Sequence, residues 1–384
     1  MADSSPAVMR MPRSLDIELT ALCNLRCTYC YFFGNDAVEY RDLPTEEWLR
    51  FFEECGQLGV MNLTLAGGEP FMRRDLTTLL GGIVQNRMRY SLLSNGGLID
   101  DDIAAFIAGT RRCDSVQVSL DGSRPETHDS CRGKGSFERA VRGIRTLQRH
   151  GVRVAVRVTI HRHNVDDLEA TARFLLEELG LPGFGTNSAG YLGACRGNGG
   201  AVLLTAAQRQ EAMATLLRLS EKYNGRISAS AGPLAEGRRW REMEDARARG
   251  EPAWRNGGCL TGCGCPTNKI AVRADGAIVP CSMLAHMVLG WINRDSLSEV
   301  WLHSPALNQM RSRHTISLAE FEFCAGCAYA PYCTGNCPGL AYTLTGKVDH
   351  PSPDACLRRF LEEGGRVPGP APTAAVDAAS EALA

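Results

Sequence analysis

The chain has 384 residues, with 42 basic and 43 acidic side chains and a formal net charge of −1 at neutral pH. This length leaves room for two or three domains, and the balanced charge argues against bulk affinity for nucleic acid or a membrane surface. There is no signal-peptide pattern, and no apolar run approaches the roughly eighteen residues of a membrane span, so we expect a cytoplasmic protein. The sixteen cysteines therefore indicate bound metal rather than disulfides.

Strand-like and helix-like segments alternate after a lead-in, residues 1–13, that we expect to be frayed. Apolar and β-branched residues predict strands at 15–19, 62–65, 90–93, 115–119 and 152–160. Helical periodicity predicts helices at 45–58, 76–88, 103–108, 137–150 and 165–179. Such alternation is typical of parallel βαβ units with right-handed crossovers. We therefore predict an α/β fold over residues 14–200, with about six units in an open or partial barrel that is smaller than a TIM barrel.

The middle of the chain is predicted to end this barrel and lead to a second region. A Gly-rich segment, 183–200, predicts a sixth strand that continues into a loop. Two helices are predicted at 205–223 and 234–249, so that residues 201–250 are interpreted as a helical linker. At the far end, the Pro- and Ala-rich residues 367–384 predict a disordered tail.

Three cysteines follow the first predicted strand with the spacing Cys-x3-Cys-x2-Cys: Cys23, Cys27 and Cys30. Three thiolates would leave one iron of a [4Fe–4S] cluster without a protein ligand, and an open position lets a metal site act on a bound molecule. A zinc loop or a few core thiols are the alternatives. The stretch, with Tyr29 before the third cysteine, resembles the signature of the radical SAM superfamily at all three cysteines. The resemblance implies a [4Fe–4S] cluster that binds S-adenosyl-L-methionine (SAM).

A second motif, Gly67, Gly68 and Glu69, follows the second predicted strand. The glycines would let the backbone approach a ligand closely, and Glu69 would supply an acceptor. By itself such a pattern is more often a turn. Beside the cysteine loop, it resembles the radical SAM motif that holds the methionine amino group, and this role is implied for all three residues.

The same resemblance places four further polar residues near SAM: Asn95, Ser119, Arg132 and Asn164. It implies that Arg132 faces the SAM carboxylate and that Asn164 approaches the adenosine. Small polar residues at strand ends also cap turns and helices, so a structural role is the alternative. Three histidines lack the partner spacing of a site and are interpreted as surface or loop residues: His128, His161 and His163.

Nine cysteines within residues 251–366 form a second pattern. Their spacing resembles the SPASM domain, an addition to radical SAM enzymes that holds two further [4Fe–4S] clusters. The resemblance implies two interleaved ligand sets, the first auxiliary set and the second auxiliary set: Cys259, Cys265, Cys281 and Cys337, and Cys324, Cys327, Cys333 and Cys356. Cys263 is an extra thiol, so the choice between Cys263 and Cys265 stays open, and two four-thiolate zinc sites are the alternative. Such a region would be stapled by metal more than by an apolar core.

The resemblance covers residues 14–366 and implies an enzyme that cleaves SAM reductively to a 5′-deoxyadenosyl radical. Fully ligated auxiliary clusters have no open iron, so electron transfer is their expected role. Because SPASM enzymes mostly modify peptides or proteins, the first hypothesis is an oxidoreductase-type maturase of a ribosomally made peptide, forming a crosslink, a thioether or a related oxidation. An electron donor such as flavodoxin or ferredoxin is implied. Residues 1–13 are too few for a leader-binding domain, so a separate leader-binding protein, or recognition by the core itself, is predicted.

Three alternatives stay open. Sulfatase maturases, which make formylglycine, resemble this chain, but they carry an Asp directly after the cysteine equivalent to Cys281, where this chain has Ser282. A hydroxyl has no basic form near neutral pH, which counts against that activity. The others are a SPASM enzyme acting on a small molecule or tetrapyrrole side chain, and a zinc-stapled binding module without catalysis. The general base is not assigned; acidic residues near the motifs are Asp121, Asp275 and Glu322.

Overall fold

The computed structural model describes residues 8–33, 41–251, 257–261 and 264–369. Its strands are β1 (Ser14–Thr20), β2 (Asn62–Gly67), β3 (Arg89–Ser94), β4 (Cys113–Ser119), β5 (Val154–Ile160), β6 (Phe184–Ser188), β7 (Ile227–Ala229), β8 (Lys269–Val272), β9 (Ala277–Val279) and β10 (Gly290–Trp291). They form one sheet in the order β10-β9-β8-β1-β2-β3-β4-β5-β6-β7. From β1 to β7, every neighbouring pair is parallel.

The helices connect these strands or follow them. They are α1 (Thr45–Gln57), α2 (Leu76–Gln85), α3 (Asp101–Thr110), α4 (Pro125–Arg132), α5 (Ser136–Arg149), α6 (Leu168–Arg173), α7 (Cys195–Val202), α8 (Ala206–Lys222), α9 (Pro233–Arg249), α10 (Cys265–Asn268), α11 (Leu297–His303), α12 (Pro305–Ser312), α13 (Pro338–Thr345) and α14 (Leu357–Glu362). Among the described helices, none combines the length and apolar character needed to cross a bilayer.

The two faces of the sheet differ in polarity. Along β1, the side chains of Leu15, Ile17 and Leu19 are fully buried and pack with α1 in the main apolar core. The residues between them project from the opposite face, because side chains alternate along a strand. The same alternation in β4 and β5 sends valines to the core and polar groups to the other side. We call that polar side the inner face, and its residues include Asp16, Glu18, Gln117, Ser119 and Arg157.

The cysteine-rich residues 251–366, called the second metal-rich region after the metal-binding thiols expected among their nine cysteines, join the same sheet. Strand β8 pairs in parallel with β1, and Lys269 Nζ lies 2.6 Å from Asp16 Oδ2 across this pair. Strand β9 is antiparallel to β8, and β10 is antiparallel to β9. Trp301 of α11 is fully buried in the main core, and its indole N–H donates to the Met9 carbonyl at 2.8 Å. Ladder pairing and apolar packing therefore contribute to holding this region, and the expected contribution of metal stays a prediction.

The predicted α/β architecture is confirmed, with strands at all five predicted positions and a sixth in the Gly-rich segment. Other expectations need correction. Residues 201–250 are not purely helical, because β7 lies among them and extends the sheet beyond β6. The helix expected at 165–179 begins as a 3-10 turn and ends as a π-helix, Phe174–Glu178. Residues 195–202 of the expected loop form α7.

The lead-in is ordered where the structure describes it. The Arg13 N–H donates to the Asn268 carbonyl at 2.8 Å, and Met9 accepts the Trp301 bond given above. The expectation of fraying is therefore wrong for residues 9–13. The expected tail lies mostly outside the described residues, which end at residue 369. The predicted domain boundaries stay predictions. Strands β1 and β8 come from the two predicted domains but pair in one sheet, so the sheet does not mark a boundary between them.

Candidate active site

The loop after β1 carries the three N-terminal cysteines in one compact turn. The Cys30 N–H donates to the Cys27 carbonyl at 3.1 Å, and the Leu25 N–H donates to Cys23 Sγ at 3.4 Å. All three are free, partly exposed thiols. The loop lies beyond the carboxyl end of a parallel strand, where sheets of this kind bind ligands. Three sulfur donors are thus presented together at the edge of the sheet.

The surroundings of these thiols fit metal ligation. Burial raises the pKa of Cys27 to about 11, with Arg132 opposing the rise and the Cys30 and Cys23 sulfurs adding to it. Burial also raises the pKa of Cys23. The sulfurs are therefore within electrostatic reach of one another. Without a bound cation Cys23 and Cys27 stay protonated at neutral pH, and a metal would stabilise the thiolates.

The three thiols are compatible with a cluster. Among the described residues, no three His, Cys, Asp or Glu side chains lie close enough together to hold a single metal ion. In a [4Fe–4S] cluster each cysteine binds a different iron, so the sulfurs stand farther apart than around one ion. Three thiols from one loop therefore fit an iron–sulfur cluster with an open iron.

The two glycines of the second motif bring it against the cysteine loop. The Gly68 N–H donates to the Thr20 carbonyl, and the Glu69 N–H donates to the Leu22 carbonyl, each at 2.8 Å. A Cβ at Gly67 or at Gly68 would collide with a carbonyl oxygen of this loop, from Thr20 or Leu22 respectively. The glycines were expected to admit a ligand. In the structure they admit the loop backbone, so their first effect is to fix the motif beside the cluster site.

Glu69 is a buried carboxyl held by neutral donors. Its side chain accepts hydrogen bonds from Ser94 Oγ at 2.8 Å, from the Asn95 N–H at 2.7 Å and from the Phe71 N–H at 3.3 Å. Burial raises the pKa of Glu69 to about 7, and these hydrogen bonds oppose the rise. A cationic ligand beside it would favour the carboxylate. The pocket therefore fits the ammonium group of a methionine.

Asp121 connects the cysteine loop to β4 and β5. Its carboxylate accepts hydrogen bonds from the Tyr29 hydroxyl, from Arg132 Nε at 2.6 Å and from the Thr159 N–H at 2.9 Å. Burial is the largest single influence and would raise the pKa of Asp121, but Arg132, His128 and His161 together lower it to about 2. Asp121 is thus an ionised, buried anchor for the residue that precedes Cys30.

Arg132 and Asn164 are largely engaged within the protein. Arg132 donates hydrogen bonds from Nε and Nη2 to the Asp121 carboxylate, and its Nη1 forms no hydrogen bond within the described ranges. The Asn164 amide donates to the carbonyls of Asp121 at 2.7 Å and Thr159 at 2.9 Å and accepts from the His161 N–H at 2.8 Å. Nη1 is therefore the Arg132 nitrogen that would be available for the expected contact with the SAM carboxylate. Asn164 positions the loop after β5 and has no amide hydrogen left for adenosine.

The other two expected SAM contacts lie at neighbouring strand ends. Asn95 follows β3, and its Nδ2 donates to Asn24 Oδ1 at 2.8 Å, next to Cys23. Ser119 ends β4 on the inner face, opposite Arg157 in the ladder with β5. Both residues border the edge at which the cysteine loop and Glu69 meet, so their contact with SAM stays a prediction that the geometry allows.

Two histidines expected at the surface or in loops are buried around Asp121: His128 lies on α4, and His161 lies in the loop after β5. His128 and His161 are 1% and 0% exposed. His128 Nδ1 accepts the Asp121 N–H at 3.0 Å, and His161 stacks on Tyr29 with ring centroids 5.5 Å apart. Burial lowers the pKa of both to about 4, so both imidazoles are neutral. His161 directly follows β5. The same position at a strand end was the reason for selecting Asn95 and Ser119 as site candidates, so it could also have identified His161.

The structure brings the second auxiliary set together. All four thiols border one cavity, which Met243 of α9 and Leu357 of α14 also line: Cys324, Cys327, Cys333 and Cys356. Burial raises the pKa of Cys324 to about 11, and the other three thiols add to the rise. Four thiols around one cavity could serve as the donor set of a fully ligated cluster.

The first auxiliary set is spread over segments that meet nearby. Cys265 Sγ donates to the Pro280 carbonyl at 2.5 Å, one residue before Cys281. Cys259 forms an isolated bridge with Ser317. A thiolate cannot donate the bond to Pro280, so ligation by Cys265 would break this hydrogen bond. Cys263, the alternative ligand, lies outside the described residues, and the choice between the two stays a prediction.

A cleft opens between the cysteine loop and the second metal-rich region. Its lining includes Tyr31, Arg196, Ser282, Met283, His286 and Tyr342. The His286 and Tyr342 rings stack with centroids 4.0 Å apart, and Tyr31 and Met283 are each 41% exposed. A cleft with polar and aromatic walls beside the cluster site suits the entry of a substrate.

None of the three acidic candidates is a free base beside this cleft. Asp121 is paired with Arg132, Asp275 accepts from Arg273 Nε at 3.0 Å, and Glu322 is exposed on a 3-10 turn. Sequence reasoning missed Glu18, whose side chain hydrogen bonds with Ser282. Glu18 is 2% exposed, its Oε2 has no hydrogen-bond partner within the described ranges, and burial raises its pKa to about 8. A charged residue inside an apolar strand was the available signal.

Comparison with known proteins agrees with this geometry. A model described as the radical SAM superfamily matches residues 17–175, and a model of the SPASM iron-sulfur cluster-binding domain matches residues 263–328. Fe-coproporphyrin III synthase of Methanosarcina barkeri (strain Fusaro / DSM 804) is 30% identical over 343 residues, which span 86% of this chain and 84% of that protein. PqqA peptide cyclase of Ruegeria pomeroyi is 28% identical over 343 residues, 87% of this chain and 84% of the cyclase.

The fold is also similar to that of a solved structure. The crystal structure of Streptococcus suis SuiB bound to the precursor peptide SuiA gives a TM-score of 0.67 at 16% identity. The match covers 91% of this chain and 77% of SuiB. At this identity the similarity concerns the fold, which both chains share over most of their length.

Proposed function

The chain belongs to the radical SAM superfamily and carries a SPASM domain, and from this premise we propose that it modifies a side chain of a peptide or protein. It is a radical SAM enzyme with iron–sulfur and SAM-binding chemistry. The finer proposal is oxidation of a ribosomally made peptide, such as formation of a crosslink or a thioether. The observation that carries it is the open cleft at which Tyr31 and Met283 are exposed beside the cysteine loop.

The residues of the chain have distinct tasks in this proposal. Cys23, Cys27 and Cys30 would hold the cluster that binds SAM, and Glu69 would hold the methionine amino group. When bound, the cluster and SAM together supply reductive cleavage to a carbon radical that removes hydrogen from the substrate. Asp121 and Arg132 keep the cysteine loop in place, and the cleft walls exclude water around the substrate.

Removal of a hydrogen atom leaves a substrate radical, and the second metal-rich region would accept the electron that this radical gives up when it is oxidised. The second auxiliary set surrounds one cavity and offers no open position once fully ligated, which suits electron transfer. Two further [4Fe–4S] clusters, one in each auxiliary set, are part of the proposal. An external donor such as flavodoxin or ferredoxin would reduce the SAM-bound cluster, and either a separate leader-binding protein or the core itself would recognise the peptide.

Two relatives support different substrates. The PqqA peptide cyclase is named for a peptide substrate and supports the proposal. The Fe-coproporphyrin III synthase is named for a tetrapyrrole, and its 30% identity makes a tetrapyrrole side chain the second candidate. Formylglycine formation is disfavoured because Ser282 stands where sulfatase maturases carry an Asp. Glu18 hydrogen bonds with Ser282 and is an acidic group close to that position.

The test incubates anaerobically reconstituted protein with SAM, dithionite and short peptides encoded beside its gene. We expect 5′-deoxyadenosine and a peptide that has lost two hydrogen atoms, detected by chromatography and mass spectrometry. Cys27→Ala should lose both products, whereas Cys113→Ala, which changes a thiol at the start of β4, should keep both. Conversion of a porphyrin with no change in any peptide would favour the second candidate. Absence of 5′-deoxyadenosine from iron-loaded wild-type protein would contradict radical cleavage itself.

A further inference from the structure

Arg157 lies in the middle of β5 on the inner face of the sheet. Val156 and Val158, on either side of it, are buried in the main core, so strand alternation turns Arg157 the other way. Its Nε–H donates to Gln117 Oε1 at 3.3 Å, and its Nη1–H donates to the Thr186 carbonyl at 3.4 Å. The guanidinium therefore spans the inner face between β4 and β6.

The neighbouring strands fix the position of this side chain. Gly185 is opposite Arg157 in the ladder between β5 and β6, and a Cβ built there would lie 3.3 Å from Arg157 Cζ. The guanidinium thus packs against a residue that has no side chain, and a larger residue would push it off the sheet. On the other side, Ser119 pairs with Arg157 in the ladder between β4 and β5. The site is built from three adjacent strands.

The charge of Arg157 has no acidic partner within the described ranges. Both of its hydrogen bonds go to neutral amide oxygens and are long for bonds from a charged donor. Burial lowers the pKa of Arg157, and no neighbouring carboxylate raises it. By contrast, Arg132 and Arg273 are each paired with an aspartate. Because a half-buried arginine normally has an acidic partner, the inner face presents a planar cation whose charge no carboxylate of the described residues neutralises.

We propose that Arg157 binds a carboxylate group of the substrate on the inner face. The inference rests on the proposed function and narrows it to substrates with a carboxylate close to the modified carbon. Peptides carry such groups on Asp, Glu and the C-terminus, and tetrapyrroles carry them on propionate side chains, so both candidate substrates share this chemistry. A guanidinium matches a carboxylate with two parallel hydrogen bonds. Ser119, expected near SAM, is the ladder neighbour of Arg157 and places this contact close to the reaction.

The test measures binding to iron-loaded protein with two pairs of probes. One pair is coproporphyrin III and its tetramethyl ester, and the other is the PqqA peptide and the same peptide with its carboxylates converted to amides. We expect Arg157→Gln to weaken binding of an acid probe about ten- to hundredfold, the range for a hydrogen bond to a charged group. Arg157→Lys should retain part of the affinity, and Arg153→Gln, an exposed arginine of the same segment, should match the wild type.

The outcomes separate the proposal from its alternatives. Loss of affinity for only the porphyrin acid or only the peptide acid supports the proposal and identifies the source of the carboxylate. Equal binding of acid and neutral probes, no binding of either acid, or no effect of Arg157→Gln would overturn it. A parallel rise in the dissociation constant for SAM would also overturn it, because Arg157 would then serve SAM. Formation of 5′-deoxyadenosine by the wild type is measured separately, so failure of the proposed function is recognised independently.

Discussion

Replacing Asp121 with asparagine should destabilise the protein by removing the counter-ion of a buried arginine. Arg132 is 8% exposed, and its Nε and Nη2 both donate to Asp121. In Asp121→Asn the amide nitrogen or oxygen keeps the shape of the carboxylate, but the guanidinium charge is left without compensation. Tyr29, which also donates to Asp121, would lose its charged acceptor, so the cysteine loop should loosen as well.

The structure gives the magnitude in two ways. The pKa of Asp121 falls from 3.8 to about 2, because Arg132, His128 and His161 together outweigh burial. At about 1.4 kcal/mol per pKa unit, that shift corresponds to roughly 2 kcal/mol at neutral pH. Breaking a buried pair by removing one partner usually costs about 3–5 kcal/mol, since the other charge stays buried. We therefore expect the free energy of unfolding of Asp121→Asn to fall by about 2–5 kcal/mol.

The assay is urea unfolding of the iron-loaded protein under anaerobic conditions, followed by circular dichroism. Asp101→Asn is the matched control, because Asp101 pairs with Arg149 and His150 at the exposed surface, and its loss should have no measurable effect. Since the pKa of Asp121 is lowered by folding, its contribution is present above about pH 4 and disappears as the pH falls through about 2. Equal stability of the two variants at neutral pH would refute the assignment of Asp121 as an ionised anchor.

Three further predictions test other parts of the molecule. Burial raises the pKa of Glu18 from 4.5 to about 8, so the folded state holds a proton that the unfolded chain releases, and stability falls as the pH rises through this range. Glu18→Gln should flatten the pH profile of urea unfolding, and a profile parallel to the wild type would contradict this reasoning. Gly68→Ala should lower the free energy of unfolding by about 1–3 kcal/mol and reduce iron content, whereas Gly81→Ala, in open space on α2, should not; iron and urea titrations compare the two. Cys333→Ala should lose about four irons, spare SAM cleavage at least in part and block product, and undiminished iron content would exclude Cys333 as a ligand.

The sequence was sufficient for those parts of the site that depend on local spacing. Cys23, Cys27 and Cys30 lie on one turn because short spacings constrain where thiols can reach. The second auxiliary set, which meets at one cavity, was implied by the family resemblance, since Cys356 is distant in sequence from the other three thiols. The pairing of Arg132 with Asp121 was not predictable in the same way. It depends on α4, which was not expected, and on the burial of His128 and His161, which a pattern of isolated residues does not reveal.

Long-range pairing explains why Glu18 was missed. Strand alternation places Glu18 opposite the apolar face of β1, but nothing near it in the sequence indicates which group it meets. Its neighbour Ser282 comes from beyond β9, and it is positioned because β8 pairs with β1 across a separation of about 250 residues, as between Lys269 and Asp16. Contacts at such separations depend on tertiary packing and cannot be inferred from local propensity.

Strand β1 fixes the distance between the site of hydrogen removal and the second metal-rich region. Its carboxyl end leads into the cysteine loop, and its edge pairs with β8, which leads through β9 to Ser282. Ladder hydrogen bonds set this arrangement, so it does not depend on an auxiliary cluster. A slip of β8 by one residue would turn its side chains to the opposite face and remove Lys269 from Asp16. The cleft should therefore persist in Cys333→Ala, and the loss of product expected there would reflect a lost electron acceptor rather than a collapsed substrate site.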